Sequence, residues 1–281
     1  MVMPYSGDER LRPLELVVGE AYSFVQPADV DLQRLGRNMD GGYLVPTAAL
    51  AASSKLITFG VGPDWSFEQD FLCTSTRNEV FAYDFSVSSY LFFEDACLSL
   101  FKNLSGKSNL HQLHIRLKRY IDWLKFRKER RFHFYENRVY DRNQFSDCIT
   151  VDEVFGSFKS EPDFSIILKC DIEGGEYRIG EQILKYSEKI SCIIMELHDI
   201  GPLFPVFKEL CLKINANFVV SHIHPNNSSG YNETSFPDVV EISFLNKSLV
   251  KDVRPPSREC ALHRDDRPCD PRLPEISLSF R

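Results

Sequence analysis

The stretches LKCDIEGGEY (Leu168 to Tyr177) and FGVGPDWSFE (Phe59 to Glu68) each run apolar and β-prone, then stop abruptly in glycines and carboxylates. Runs of this kind fit strands buried on both faces, which puts the polar residues at the strands' carboxyl ends. Ligands of open α/β sheets bind along that edge. Two such edges in one chain, with helical sequence between them, point to a site for a nucleotide-like cofactor.

Further strand-like runs follow the same logic. KLITFGVG (Lys55 to Gly62), EVFAYDFS (Glu79 to Ser86), RFHFYENRVY (Arg131 to Tyr140), FSIILKCD (Phe164 to Asp171) and SCIIMELH (Ser191 to His198) are separated by helical sequence. ANFVVSHIH (Ala216 to His224) and DVVEISFLN (Asp238 to Asn246) are separated by a polar loop alone. Five strands joined by helices and then two adjoining ones predict an α/β fold. It is a Rossmann-like, doubly wound, seven-stranded sheet, mostly parallel, with an antiparallel edge hairpin and a helical insertion. Residues 1–33 read as an N-terminal extension and 34–250 as the main domain, with the insertion at about 87–131. Residues 251–281 read as an extended C-terminal tail, Pro-rich from Arg254 to Glu275. Ser66 reads as the N-cap of a helix with an early acid at Glu68.

Composition excludes little. Hydrophobic residues make up 43% and charged residues 26%, enough for a full core, and the net charge of −7 argues against nucleic acid as the main partner. No window approaches the roughly 18 apolar residues that span a bilayer, and no targeting segment is visible, so a cytoplasmic protein is expected. The eight cysteines form no CxxC pair, and Cys170 and Cys192 fall inside strand-like runs as small core residues.

Gly60 and Gly62 sit at a strand-to-helix turn, where glycine lets a ligand approach the backbone and the next helix offers free amides. Asp84 ends the following strand, a position from which a carboxylate can accept both hydroxyls of a ribose. A nicotinamide site would require GxGxxG, but Pro63, Asp64 and Trp65 follow Gly62. Another adenosine-containing cofactor is therefore expected.

The chain resembles the FkbM-like family of S-adenosylmethionine-dependent methyltransferases, a branch of the Rossmann-like class I fold. DIEGGE within LKCDIEGGEY is the most specific element of the likeness. It also runs through DGGYLVP (Asp40 to Pro46), SFE (Ser66 to Glu68), ITVDEVF (Ile149 to Phe155), IIMELH (Ile193 to His198), SHIHPNN (Ser221 to Asn227) and VVEISF (Val239 to Phe244). The resemblance implies that Gly60 and Gly62 lie against the methionine part of S-adenosylmethionine and that Asp84 holds its ribose. Tyr140 and Asp141 would border the adenine, Asp40 and Tyr43 would close over the pocket, and Glu68 would join the cofactor-binding set. Members of the family methylate hydroxyls, often on sugars of polysaccharides or glycosylated natural products. The long segment between Ser86 and Arg131 departs from the family, so the acceptor does not carry over.

A sugar hydroxyl has a pKa far above 7, so its methylation needs a base or a Lewis acid. Asp171, His198 and His222 are the candidate catalytic residues, because each falls near the end of a strand. Asp171, Glu196 and His222 are the candidate ligands for a divalent metal such as Mn, Mg or Zn. A metal-free site lined by hydrogen-bonded polar residues is the competing reading. Glu176 is expected to serve the N-terminus of its helix.

Eight basic residues lie between Arg116 and Arg131, with Tyr120, Trp123 and Phe126 at helical spacing among them. They read as the solvated face of an amphipathic helix, or as a dock for an anionic glycan or a membrane surface. Two further readings of the whole chain compete with methyl transfer. One is a metal-dependent hydrolase, and the other a non-catalytic module that binds a nucleotide or glycan.

Overall fold

The computed structural model describes residues 11–104, 110–250 and 262–280. Cys260, residues 1–10 of the N-terminal segment and residues 251–261 of the tail lie outside the described residues, so their expected roles are not addressed. In chain order the strands are β1 (Leu14–Val18), β2 (Leu32–Leu35), β3 (Tyr43–Pro46), β4 (Lys55–Phe59), β5 (Glu79–Tyr83), β6 (Phe132–Tyr135) and β7 (Arg138–Tyr140). They continue as β8 (Cys148–Thr150), β9 (Ile166–Cys170), β10 (Ile190–Leu197), β11 (Phe218–Pro225), β12 (Val240–Asn246) and β13 (Ile276–Phe280). The α-helices are α1 (Thr47–Ala52), α2 (Ser66–Thr74), α3 (Ser89–Leu104), α4 (Leu110–Phe126), α5 (Val151–Gly156), α6 (Glu176–Leu184) and α7 (Phe204–Asn217).

The seven long apolar runs assemble into one sheet of order β6-β5-β4-β9-β10-β12-β11. Only β12 runs antiparallel to its neighbours, slotted between β10 and the edge strand β11. The expected doubly wound sheet with an antiparallel hairpin at one edge is therefore present. The chain moves outward from β4 to β6, then returns to β9 beside β4 and proceeds the other way. The strand order thus reverses between β4 and β9, the point where open α/β sheets leave a crevice.

Period-two alternation explains why both faces are covered. Ile57 and Phe59 of β4 pack with Ile179 and Ile183 of α6 and with Phe207 and Leu210 of α7. Leu56 points the other way, into a cluster with Phe67 and Phe71 of α2 and Trp123 and Phe126 of α4. The aromatic residues of the basic segment therefore serve the core. Arg127 lies over Phe134 at 4.6 Å, Arg116 pairs with Asp95, and Arg131 donates to the carbonyls of Leu72 and Ser75 at 2.9 and 3.0 Å. Lys118 and Lys125 remain exposed. No described helix is long and apolar enough to cross a membrane.

Two local expectations change. RFHFYENRVY is two strands: after Tyr135 the chain leaves the sheet, because Asn137 Nδ2 and Arg138 N both donate to the carbonyl of Asp147 and turn β7 onto β8. Trp65, not Ser66, occupies the N-cap of α2; Ser66 Oγ instead accepts from the amide of Arg37. β1 and β13 pair in parallel with each other, so the N-terminal segment and the C-terminal segment meet there.

A buried polar clamp fastens the C-terminal segment to β11. His222 and His224 are two residues apart and so share a face, with rings 6.3 Å apart. His222 Nε2 donates to Asp266 at 3.1 Å, while the two ring nitrogens of His224 each lie 3.1 Å from a carboxylate, Glu241 and Glu275. Both nitrogens of His224 must carry protons to satisfy both carboxylates. Burial works against that charge, but Asp266, Cys269, Glu241 and Glu275 hold the imidazole well above its ordinary value. Burial likewise opposes ionisation of Asp266, yet His222, His224 and the amide of His263 bring it down to about 2.

Removing one partner of a buried ion pair costs about 3–5 kcal/mol, so His224→Ala should lower unfolding stability by that order. The raised His224 contributes in full below pH 6.5, and that contribution is lost as pH rises through its folded value. Asp266 has the opposite sign: its contribution is full above 3.8 and disappears as pH falls towards about 2. Urea unfolding across pH should show the gap between wild type and His224→Ala narrowing in the alkaline range. The gap to Asp266→Asn should narrow only in acid. A His224→Ala gap that widens with rising pH would contradict the clamp.

Candidate active site

A cavity of about 840 Å³ opens at the carboxyl ends of β4, β5, β9 and β10, within the size range of ligand pockets. One side is the turn after β4. Gly60 and Gly62 have φ of +80° and +65°, a region that other residues enter at a cost. A Cβ at Gly60 would stand 1.8 Å from the carbonyl oxygen of Asp171, whereas one at Gly62 would meet nothing within 4 Å. Gly60 is thus fixed by the close approach of β9, and Gly62 leaves open space facing the crevice.

Asp84 ends β5 and organises this turn. Its Oδ2 accepts from the amides of Val61 and Gly62 at 2.8 and 2.9 Å, and its Oδ1 accepts from the amide and hydroxyl of Ser86, both at 2.7 Å. Four donors fill the roughly four lone-pair positions of a carboxylate. A ribose hydroxyl would have to displace one of them, and the Ser86 hydroxyl is the one free to rotate.

The wall next to this turn is acidic. Asp171 follows β9, Glu196 lies in β10 and His198 follows it; Asp40 and Glu173 also line the cavity. Tyr43, held in β3 and edge-on to Phe67, donates from its hydroxyl to Asp171 Oδ2 at 3.3 Å. Burial, together with Asp171, Glu241 and Asp40, pushes Glu196 up to about 9, while a hydrogen bond from Asn226 at 3.3 Å works the other way. Burial also raises Glu176, to about 7, although it accepts from the amide of Ile172 at 2.7 Å; it stands behind His198. Desolvation, Glu241 and Asp171 raise Asp40, against the pull of Arg37.

Lys169 is the buried cation of the site. Its Nζ donates to the carbonyl of Gly60 at 2.8 Å and lies 5.4 Å from the ring of Tyr43. Burial opposes its charge, but Glu68, Asp171, Glu196 and Asp84 hold its proton more firmly than usual.

Gly60, Gly62, Asp84, Asp40, Tyr43, Asp171, Glu196 and His198 all line one cavity. Three expected residues do not. Glu68 is buried beside the sheet, accepting from Thr58 Oγ1 at 3.0 Å. Asp141 is not among the lining residues; Gln182 Nε2 donates to its carbonyl at 2.9 Å, and Arg138 and Tyr140 face the cavity instead. His222 is ruled out by topology, because β11 stands three strand spacings of about 4.8 Å from β9. Its ring is spent on Asp266, and His198 takes its place beside Asp171 and Glu196. The sequence reading also passed over Lys169. A lysine inside the apolar run FSIILKC was the available signal, since a strand buried on both faces keeps a cation only beside carboxylates.

Among solved structures, the chain is similar to a Methanococcus jannaschii fibrillarin pre-rRNA processing protein, at 8% identity and a TM-score of 0.38 over 71% of this chain and 69% of that one. It is similar to precorrin-6y C5,15-methyltransferase from Geobacter metallireducens, at 13% identity and a TM-score of 0.36 over 72% and 87%. It is also similar to a human methyltransferase 10 domain containing protein, at 9% identity and a TM-score of 0.34 over 79% and 89%. No protein-family model matches the chain, and no curated protein does.

The two glycines should separate folding from binding. Gly62→Ala pays only the left-handed penalty of about 1–2 kcal/mol and should remain folded, with a methyl group in the cavity. Gly60→Ala adds a backbone collision and should fail to fold or melt far lower. Thermal melts of the two variants check this, and equal losses would contradict the assignment.

Proposed function

We propose that the chain is an S-adenosylmethionine-dependent O-methyltransferase of FkbM-like type, with a hydroxyl of a sugar in a polysaccharide or glycoconjugate as acceptor. The observation that carries this reading is the single cavity at the strand-order reversal, which joins the Gly60–Gly62 turn to a wall of acids and an imidazole. The space in front of Gly62 suits a ligand lying against the backbone. Arg138 and Tyr140 flank the turn where an adenine would lie, and Asp84 stands beside the ribose position.

S-adenosylmethionine, when bound, supplies an electrophilic methyl carbon: an oxygen lone pair attacks it and the carbon–sulfur electron pair returns to sulfur, leaving S-adenosylhomocysteine. The protein's part begins with position. The glycine turn and the wall of Asp171, Glu196 and His198 line one cavity, and holding two reactants in line there is worth several kcal/mol of barrier. The same wall favours loss of the acceptor's proton. Asn226, Ser228, Ser229 and Arg178 also line the cavity, a polar set that suits an acceptor rich in hydroxyls. Tyr43 and Asp40, on the segment after β2, border the cavity over Asp171.

Titration calorimetry with S-adenosylhomocysteine tests the reading. Wild type should bind it, and Asp84→Ala should bind about 10–100-fold more weakly, the loss expected for charge-assisted hydrogen bonds. Ser86→Ala frees one lone pair of Asp84 and should bind at least as tightly as wild type. Absence of binding by wild type to either form of the cofactor would sink the reading.

A further inference from the structure

His198 makes contacts that no hydrogen bond explains. Its Nε2 lies 3.6 Å from Glu173 and 3.9 Å from Glu196, and its Nδ1 lies 3.8 Å from Glu176. All three distances exceed a hydrogen bond. Nδ1 is nevertheless buried and has no partner among the described residues. The side chain of Glu196 is only 7% exposed, and its single hydrogen bond from a described residue goes to Oε1. Among the described residues Asp171 accepts from the hydroxyl of Tyr43, on Oδ2.

The ligand atoms of Asp171, Glu196 and His198 lie within 4.8 Å of one another. Two donors about 2.1 Å from one ion stand about 3 Å apart when adjacent and about 4.2 Å apart when opposite. The 3.9 Å between His198 and Glu196 falls inside that interval. A positive group among Asp171, Glu196 and Nε2 of His198 would draw on all three residues, while Nδ1 stays turned towards Glu176. Glu176, with no exposed side-chain surface, backs the imidazole on its Nδ1 side. At 3.8 Å it stops short of a hydrogen bond to that nitrogen, so the ring is not pinned from behind.

We propose that Asp171, Glu196 and His198 bind a divalent cation, Mn²⁺ best, at the wall of the cavity next to the Gly60–Gly62 turn. Two carboxylates and one imidazole suit an oxygen-preferring ion that also tolerates nitrogen. Three protein donors leave coordination positions open for water or an acceptor oxygen. An acceptor hydroxyl in one of them would lose its proton more readily, because the ion stabilises the alkoxide. This deepens the methyl-transfer reading and rests on it for the role of the ion, while the ion site itself is tested without any acceptor.

The full chain is stripped with EDTA, dialysed and titrated with Mn²⁺ alone, and S-adenosylhomocysteine binding is measured separately in EDTA. Wild type should bind one Mn²⁺ more tightly than about 1 mM, the weak end of biological divalent sites. Pulsed electron paramagnetic resonance should show modulation from an imidazole nitrogen. Glu196→Gln, nearly isosteric, and His198→Ala should each weaken Mn²⁺ at least about tenfold, and S-adenosylhomocysteine binding should stay within about threefold of wild type. Melting curves confirm that both variants are folded. No Mn²⁺ binding by wild type, absence of the nitrogen modulation, or wild-type Mn²⁺ affinity in the folded variants overturns the site. Mn²⁺ binding without S-adenosylhomocysteine binding leaves the site standing and overturns the methyl-transfer reading instead.

Discussion

The buried ammonium of Lys169 links the two halves of the site, through a hydrogen bond to Gly60 and the field of the surrounding carboxylates. An ammonium taken out of water costs several kcal/mol even after the protein relaxes. Here it is placed in the middle of the sheet, on β9, and donates to the backbone of the turn after β4. That bond spans the point where the strand order reverses. The same charge faces Glu68, Asp171, Glu196 and Asp84, which come from α2 and from the ends of β9, β10 and β5. Without Lys169 these carboxylates would repel one another across a low-dielectric crevice, and nothing would tie the carbonyl of Gly60 to the strand beside it.

The chemistry of the cavity follows from an imbalance that Lys169 does not remove. One buried ammonium stands against several carboxylates, so the wall carries excess negative charge. Burial, reinforced by Asp171, Glu241 and Asp40, makes Glu196 hold a proton up to about 9. A wall of this kind attracts positive charge, whether the sulfonium of a methyl donor or a divalent ion. On the glycine turn, the carboxylate of Asp84 is held by four hydrogen bonds, two from backbone amides of the turn and two from Ser86.

Most of the sheet was legible because buried parallel strands are written as apolar runs, and each run's polar end marks the ligand edge. Gly60, Gly62, Asp84 and Asp171 could be placed from that rule alone. The failures depend on tertiary contacts that a local pattern does not encode. His222 ends a strand as Asp171 does, but the order β9-β10-β12-β11 separates them. Glu68, expected in the cofactor-binding set, is instead buried between α2 and the sheet and accepts from Thr58. RFHFYENRVY kept its alternation through a break that only the Asp147 carbonyl explains.

The inserted strand β12 creates a conflict that accounts for the clamp at the C-terminus. Its pairing with β10 sets Glu241 directly opposite Glu196, and like charges in that position destabilise a sheet. Both are buried, so solvent does not screen them. Asn226 donates to Glu196, and His224, held positive between Glu241 and Glu275, neutralises Glu241 from the β11 side. The segment carrying Asp266, Cys269 and Glu275 thus does more than cover an edge strand. By keeping His224 charged, it leaves the field of Glu241 partly spent before it reaches the cavity. The acidity of the wall is then set from two directions, by Lys169 within the sheet and by the C-terminal segment behind it.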